Sequence, residues 1–144
     1  MKTFNQLSQK VINTSVFKDL KKYPSHGNTS LYDHSKNVAK SSYDFAKKHH
    51  IKCSYQELVN GALLHDLYLY NWHHSKVKFH LFKHAKISLA TAKRYFKLTK
   101  KEENIIKTHM FPITLFSIPK YKEAWIVCWF DKVVALKEIL KKHN

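Results

Sequence analysis

A histidine followed at once by an aspartate, His65-Asp66, interrupts GALLHDLYLY (61–70), a stretch otherwise made of small, apolar and aromatic residues. Burying an unpaired carboxylate costs several kcal/mol, so Asp66 requires a partner of opposite charge. That partner is either a Lys or Arg from elsewhere in the fold or a metal ion. Other polar residues occupy comparable places. His34 stands between Leu31 and Val38, and His109 comes four residues after Ile105. Asp131 follows Val127 by four and Cys128 by three, and His84 opens another segment with an apolar stripe. Singly, each reads as a hydrogen-bonded core residue, a helix-end residue or half of an ion pair with a lysine. As a set, four histidines and two aspartates fall on separate segments, each where the segment faces the core or ends beside it. Imidazole and carboxylate suit divalent cations such as Zn, Mn, Fe or Ni, and one or two ions would answer the burial of Asp66.

The elements that carry these side chains are expected to be helices. Two glycines and three prolines in 144 residues leave little room for the turns of an all-β fold. The expectation is an all-α bundle of about six or seven helices. Phe4, Leu7, Val11 and Ile12 predict a first helix within 3–22, closed off by Pro24 and Gly27. The polar end of PSHGNTS (24–30) caps a second, from about Leu31 to His49. Ser54 and Glu57 have capping-box spacing and open a third, reaching about Leu69. Neighbours on a helix diverge by about 100°, so His65 and Asp66 share an ion only if it lies between their directions. Asn71 to Lys83 reads as a long loop crowded with aromatics and histidines, before a fourth helix from His84 to Lys97. Thr99 and Glu102 form a second capping box for a short helix that reaches His109 and stops before Pro112. Pro119 suits the first turn of a last helix, turning Val127, Cys128, Asp131 and Val134 inward. One domain is expected over 1–144, with the helix of 1–24 packing on a core of 25–144.

Charge narrows the function classes. The chain carries a formal +16, yet of its 26 basic residues only Arg94 is arginine, and the lysines are scattered. Nucleic-acid readers cluster charge and use arginine for bidentate contacts, so a solvated surface is the simpler reading. The positive field would still gather anionic substrates such as nucleotides. Cys53 and Cys128 form neither a metal motif nor a disulfide framework. MKTFNQLSQKV lacks the apolar region of a signal peptide, and AWIVCWF (124–130) is too short to span a bilayer. The expectation is a soluble cytoplasmic protein without a membrane partner.

The order H…HD…H…H…D resembles the HD-domain superfamily of metal-dependent phosphohydrolases. The resemblance runs through DHSKNVA (33–39), ALLHDLYLY (62–70), KHAKISLATA (83–92), IIKTHMFP (105–112) and VCWFDKVVAL (127–136). It implies that His34, His65, Asp66 and Asp131 hold the ion common to the family. His84 and His109 would add ligands for a second ion bridged by Asp66. The ions would be drawn from Mn, Fe, Ni, Co, Mg or Zn. His65 and Asp66 would be catalytic, with Asp66 orienting a metal-activated water. This pattern is similar to bacterial HD hydrolases that split dinucleoside polyphosphates and to the cyclic-dinucleotide phosphodiesterases. The substrate implied is a small phosphorylated compound, a nucleotide above all. Two departures bear on substrate. Many members read Ile-Gly-Lys after the pair, where this chain has Leu67-Tyr68-Leu69, and the Gly-Tyr-Pro signature of the cyclic-dinucleotide branch is absent. His73, His74, His80, Lys83 and Lys132 are candidates for phosphate contacts, with His26 a weaker one. Trp72, Phe79 and Phe82 stack on a base or anchor the loop to the core. The alternatives are a catalytically silent HD-fold module that binds nucleic acid or a nucleotide through its basic surface, and a di-iron oxygenase.

Overall fold

The computed structural model describes residues 1–73 and 79–142. Among these there are seven α-helices and one 3-10 turn, with no strand beyond an isolated bridge between Pro24 and Ser30. In chain order they are α1 (Phe4–Ile12), α2 (Ser15–Lys18), the 3-10 turn (Asp19–Lys22), α3 (Leu31–Lys48) and α4 (Tyr55–Leu64). Then come α5 (His80–Tyr95), α6 (Lys100–Thr108) and α7 (Lys122–Lys142).

The amino-terminal segment is broken where one helix was expected. Thr3 and Gln6 close a capping box at the start of α1. Asn13 ends that helix, and the Thr14 hydroxyl accepts from the Phe17 N–H to start α2. A side chain that can cap competes with helix continuation, and here it wins. Phe4, Leu7, Val11, Phe17 and Leu20 nevertheless join the same apolar cluster as Leu31, Leu63, Ile105 and Val127.

Helix α4 lies between α3 and α6 and also touches α1 and α7. Gly61 allows the contact with α6. A Cβ there would fall 2.6 Å from Ile105 Cδ1 and 2.8 Å from its Cβ. The expected box at Ser54 is only half formed. Ser54 Oγ caps the Glu57 N–H, but the Glu57 carboxylate accepts from Thr99 Oγ1, and Glu123 of α7 takes the Ser54 N–H at 3.0 Å. Thr99 and Glu102 form the box expected of them.

Three further boundaries differ from expectation. Helix α4 stops at Leu64 instead of Leu69, with His65 as its cap, and a tight turn follows in which the Tyr68 N–H donates to the Asp66 carbonyl. Helix α5 begins at His80, a turn before His84, from a left-handed Phe79 (φ 59°) that offers no capping side chain. His80 and Lys83, expected in the loop, are therefore helical. Helix α7 begins at Lys122 and leaves Pro119 in the irregular connection before it.

The 24–30 loop folds back as a turn. Gly27 adopts φ +60° at its tip, where a Cβ would stand 2.6 Å from the Glu138 carbonyl oxygen of α7. Only glycine combines that backbone with so close an approach.

Candidate metal centre

Residues 61 to 68 are all buried, and the environment of Asp66 answers the question its burial raises. Among the described residues its ionic partners are His34, His65, His84 and His109, with no Lys or Arg. Asp131 likewise meets only His34 and His65. Lys132, adjacent to Asp131, turns away. Its ammonium donates to the carbonyls of His109 (3.0 Å) and Cys128 (3.2 Å).

The imidazoles are held in a common manner. His65 caps α4 and donates Nδ1–H to the Ala62 carbonyl three residues back. His109 caps α6 and does the same to Ile106, at 2.7 Å. His84, inside α5, donates Nδ1–H to the His80 carbonyl at 3.0 Å. Carbonyls only accept, so these bonds fix the proton on Nδ1 and leave each Nε2 lone pair facing inward. His34 on α3 has its Nδ1 3.0 and 3.2 Å from the two carboxylate oxygens of Glu138 on α7. A carboxylate behind an imidazole both orients the ring and raises its basicity.

The inward atoms form two groups that share Asp66. Asp66 Oδ2 lies 3.3 Å from His65 Nε2 and 3.5 Å from His34 Nε2. Asp131 Oδ1 completes that group at 2.9 Å from His34 and 3.1 Å from His65. Asp66 Oδ1 faces the other pair, His109 at 3.2 Å and His84 at 3.4 Å. The ligand atoms within each group lie within 4.8 Å of one another. Ligands about 2.1 Å from a first-row ion stand roughly 3.0 to 3.5 Å apart, as most of these do.

The donor set fits a cation better than it fits hydrogen bonds alone. His84 and His109 bring their Nε2 atoms to 3.0 Å of each other with both protons assigned to the far side of the rings. Asp66 Oδ1, facing both, is left as a buried oxygen without a hydrogen-bond donor. Lone pairs crowded on one point at low polarity repel, and a divalent cation relieves them.

Protons are the competing occupants. Burial opposes charge on His34, but bonds to Asp131 and Glu138 outweigh it and push its pKa up to about 9. Burial likewise opposes charge on His65, yet Asp66 and Asp131 hold its pKa well above the ordinary value. For Asp66 burial favours the neutral acid, but the charge of His65 and the close approach of the His109, His65 and His84 rings hold it well below the usual carboxylate range. Asp131 is depressed in the same way, by His65 and His34 against burial. His84 and His109 part company. Burial dominates at His109 and lowers its pKa, whereas Asp66 overcomes burial at the less enclosed His84 and raises it.

The expected phosphate contacts are more scattered. His80 is half-buried beside the centre, with its ring stacked on His84 at 4.7 Å and under Trp72 at 5.2 Å. Burial and the neighbouring His84 bring its pKa down to about 4. It meets an anion as a neutral ring, its Nδ1 2.8 Å from the Tyr70 hydroxyl. His73 is exposed beside Trp72, and Lys83 is exposed on α5. His74 lies outside the described residues. Lys132 does not reach the centre, because the end of α6 holds its ammonium. Phe79 and Phe82 are exposed and do not anchor the segment, while Trp72 packs on the core. His26 stands edge-on to His34 at 5.3 Å, closer to the ligands than its place in the sequence suggested.

Sequence reasoning missed Glu138 and Tyr68. Glu138 had a signal, since it lies two helical turns after Asp131 and so on the same side of α7. Tyr68 is buried edge-on to His80 and His84, and burial with the nearby Asp66 raises its pKa.

Among known proteins, the family model described as HD domain matches residues 31–136. No curated protein matches the chain, and no solved structure does.

Proposed function

The chain belongs to the HD-domain family, and from that premise we propose that it hydrolyses a phosphate ester or anhydride of a nucleotide or other small phosphorylated compound. One observation carries the reading: the two oxygens of a single buried carboxylate, Asp66, face two separate sets of imidazole lone pairs. His34, His65, Asp66 and Asp131 would hold one divalent cation, and Asp66, His84 and His109 a second. Bound there, such ions supply Lewis acidity toward phosphate oxygens and a water acidic enough to attack at neutral pH.

The protein's own groups do the positioning. Asp66 ties the two halves of the site together, and its depressed pKa keeps it ionised throughout the neutral range. The Nδ1–H bonds of His65, His84 and His109 fix ring orientation before substrate arrives. The Trp72–His80 stack offers a flat wall for a base, and a neutral His80 can donate one hydrogen bond toward phosphate. The lysines give the protein a positive field that draws anions toward it. Residues 1–24 serve this unit as a cover on the core rather than as a domain of their own, in keeping with the apolar cluster they share with it.

The test is metal analysis of protein purified without chelator, then a screen of phosphorylated compounds with added manganese. Bound metal with turnover, both lost in Asp66→Ala while helical content persists, is the expected result. Metal-free protein that hydrolyses nothing but retards RNA would replace this reading with a silent module acting through the +16 surface.

A further inference from the structure

One surface departs from the rest of this lysine-rich chain. Residues 108–119 contain no Asp, Glu, Lys or Arg, although charged residues make up 25% of the sequence. The segment leaves α6 and passes over the outside of the fold. Ile113, Leu115, Phe116 and Ile118 are exposed along it, Phe116 completely. It continues onto α7. Phe111 meets Trp125 edge-on at 5.4 Å, and Trp125 and Trp129 are exposed one turn apart. Leu136 and Leu140 extend the same stripe toward the end of the helix. Helix α7 thus carries apolar residues on both sides, since Ala124, Val127, Cys128 and Val134 lie on its buried side. Lys132 is the charged residue that helical spacing places within the stripe, and it folds its ammonium back onto the end of α6.

An apolar patch on a helix and loop of this kind requires a partner. Charge decides which. Two copies would each bring a formal +16, and the exposed Lys107, Lys120 and Lys122 that bracket the patch would face their own kind. The partner is therefore anionic at its surface and apolar beneath. Shape points the same way. Phe116, the most exposed of the large apolar side chains, sits on the connection between α6 and α7, which suits a deformable medium better than a preformed groove. Tryptophan with flanking lysine is the composition found at the boundary between headgroups and acyl chains.

We propose that the 111–118 loop and the outer side of α7 seat this protein on an anionic lipid bilayer, with Phe116, Trp125 and Trp129 entering the headgroup region and Lys107, Lys120 and Lys122 contacting the headgroups. No described helix is long and apolar enough to cross a membrane, so the contact lies in the surface plane. The expectation of no membrane partner rested on the lack of a spanning segment. A surface contact becomes visible only once the exposure of these side chains is known.

The test uses the whole chain with vesicles of phosphatidylglycerol and phosphatidylcholine in equal parts, and with phosphatidylcholine alone. The protein should sediment with the mixed vesicles at low salt, shift its tryptophan emission to the blue, and bind the neutral vesicles roughly tenfold less. Phe116→Ser/Trp129→Ser and Lys120→Glu/Lys122→Glu should each weaken binding to the mixed vesicles by roughly tenfold, with helical circular dichroism unchanged. No binding to mixed vesicles overturns the proposal, as does binding that ignores Phe116→Ser/Trp129→Ser, which would leave charge alone. A dimer in sedimentation equilibrium that the same pair of substitutions dissolves assigns the patch to a second copy and also overturns it. None of these readouts requires turnover, so they stand apart from the test of hydrolysis.

Discussion

Replacing Glu138 by glutamine removes the negative charge behind His34 while keeping an oxygen that can accept from its ring. The carboxylate lies 3.0 and 3.2 Å from His34 Nδ1 and is buried with it. Removing such a partner of a ligating histidine weakens metal binding by about 10- to 100-fold, or about 1.4 to 2.8 kcal/mol. Glu138→Gln belongs near the lower end, because the amide oxygen still orients the ring. Glu138→Ala belongs near the upper end, because a buried Nδ1–H left without an acceptor adds a penalty of about 1 to 3 kcal/mol. Competition against a chromophoric chelator measures the affinities directly. Thermal melts give a second reading: at saturating metal the stabilisation should fall by the same free energy, about 3 to 6 °C for the glutamine variant. A third is the titration of His34 in chelated protein, where its pKa should drop from about 9 toward the ordinary value. Wild-type affinity in both variants would refute the role assigned to Glu138. So would equal losses in Glu138→Gln and Glu138→Ala with no change in the His34 titration, since that pattern reflects packing alone.

Three other outcomes follow from the geometry. His109→Ala should lower the metal content from two ions to one per chain, because His34, His65, Asp66 and Asp131 remain grouped without it; two ions retained by elemental analysis would remove His109 from the site. The stability of chelated protein should fall as pH rises from ~7 to about 9, because the raised pKa values of His34 and His65 contribute stability that is complete below their unfolded value of ~6.5 and is lost above the folded one. The rings with lowered pKa, His26, His80 and His109, are neutral in both states over that range and add no slope. Metal affinity should rise over the same window as the ligands shed protons; a chelated melting temperature that climbs between pH ~7 and 9 contradicts the assignment. Gly61→Ala should destabilise by about 1 to 3 kcal/mol, since its Cβ would overlap Ile105, and Ile105→Val should recover part of the loss; additivity of the two in denaturant melts would show that they do not touch.

The sequence carried the helical class and the gathering of His34, His65, Asp66, His84, His109 and Asp131, because a polar residue inside an apolar stripe must be met there by a charge or a hydrogen bond. The Thr99–Glu102 cap was equally plain, being local. What escaped were features settled by distant partners or by backbone. Glu57 has the spacing of a capping residue, yet Thr99 takes its carboxylate. Helix α5 starts a turn early because Phe79 turns left-handed with no capping side chain to announce it. Glu138 finds His34 across 104 residues of sequence, and Lys132 sits beside Asp131 while its ammonium serves the end of α6. Position along a helix was readable, and the direction in which a long side chain finally leans was not.

The carboxylates at the centre of this molecule stand out against a chain that is otherwise strongly basic. A formal +16 is spread along the chain, while Asp66, Asp131 and Glu138 are buried together against His34 and His65. Without a cation those carboxylates are balanced by protons on His34 and His65, whose pKa values they raise, so a divalent ion entering the centre would have to displace them. Loading with metal near neutral pH would then acidify an unbuffered solution, and the protons released per chain would gauge how fully the centre has been filled.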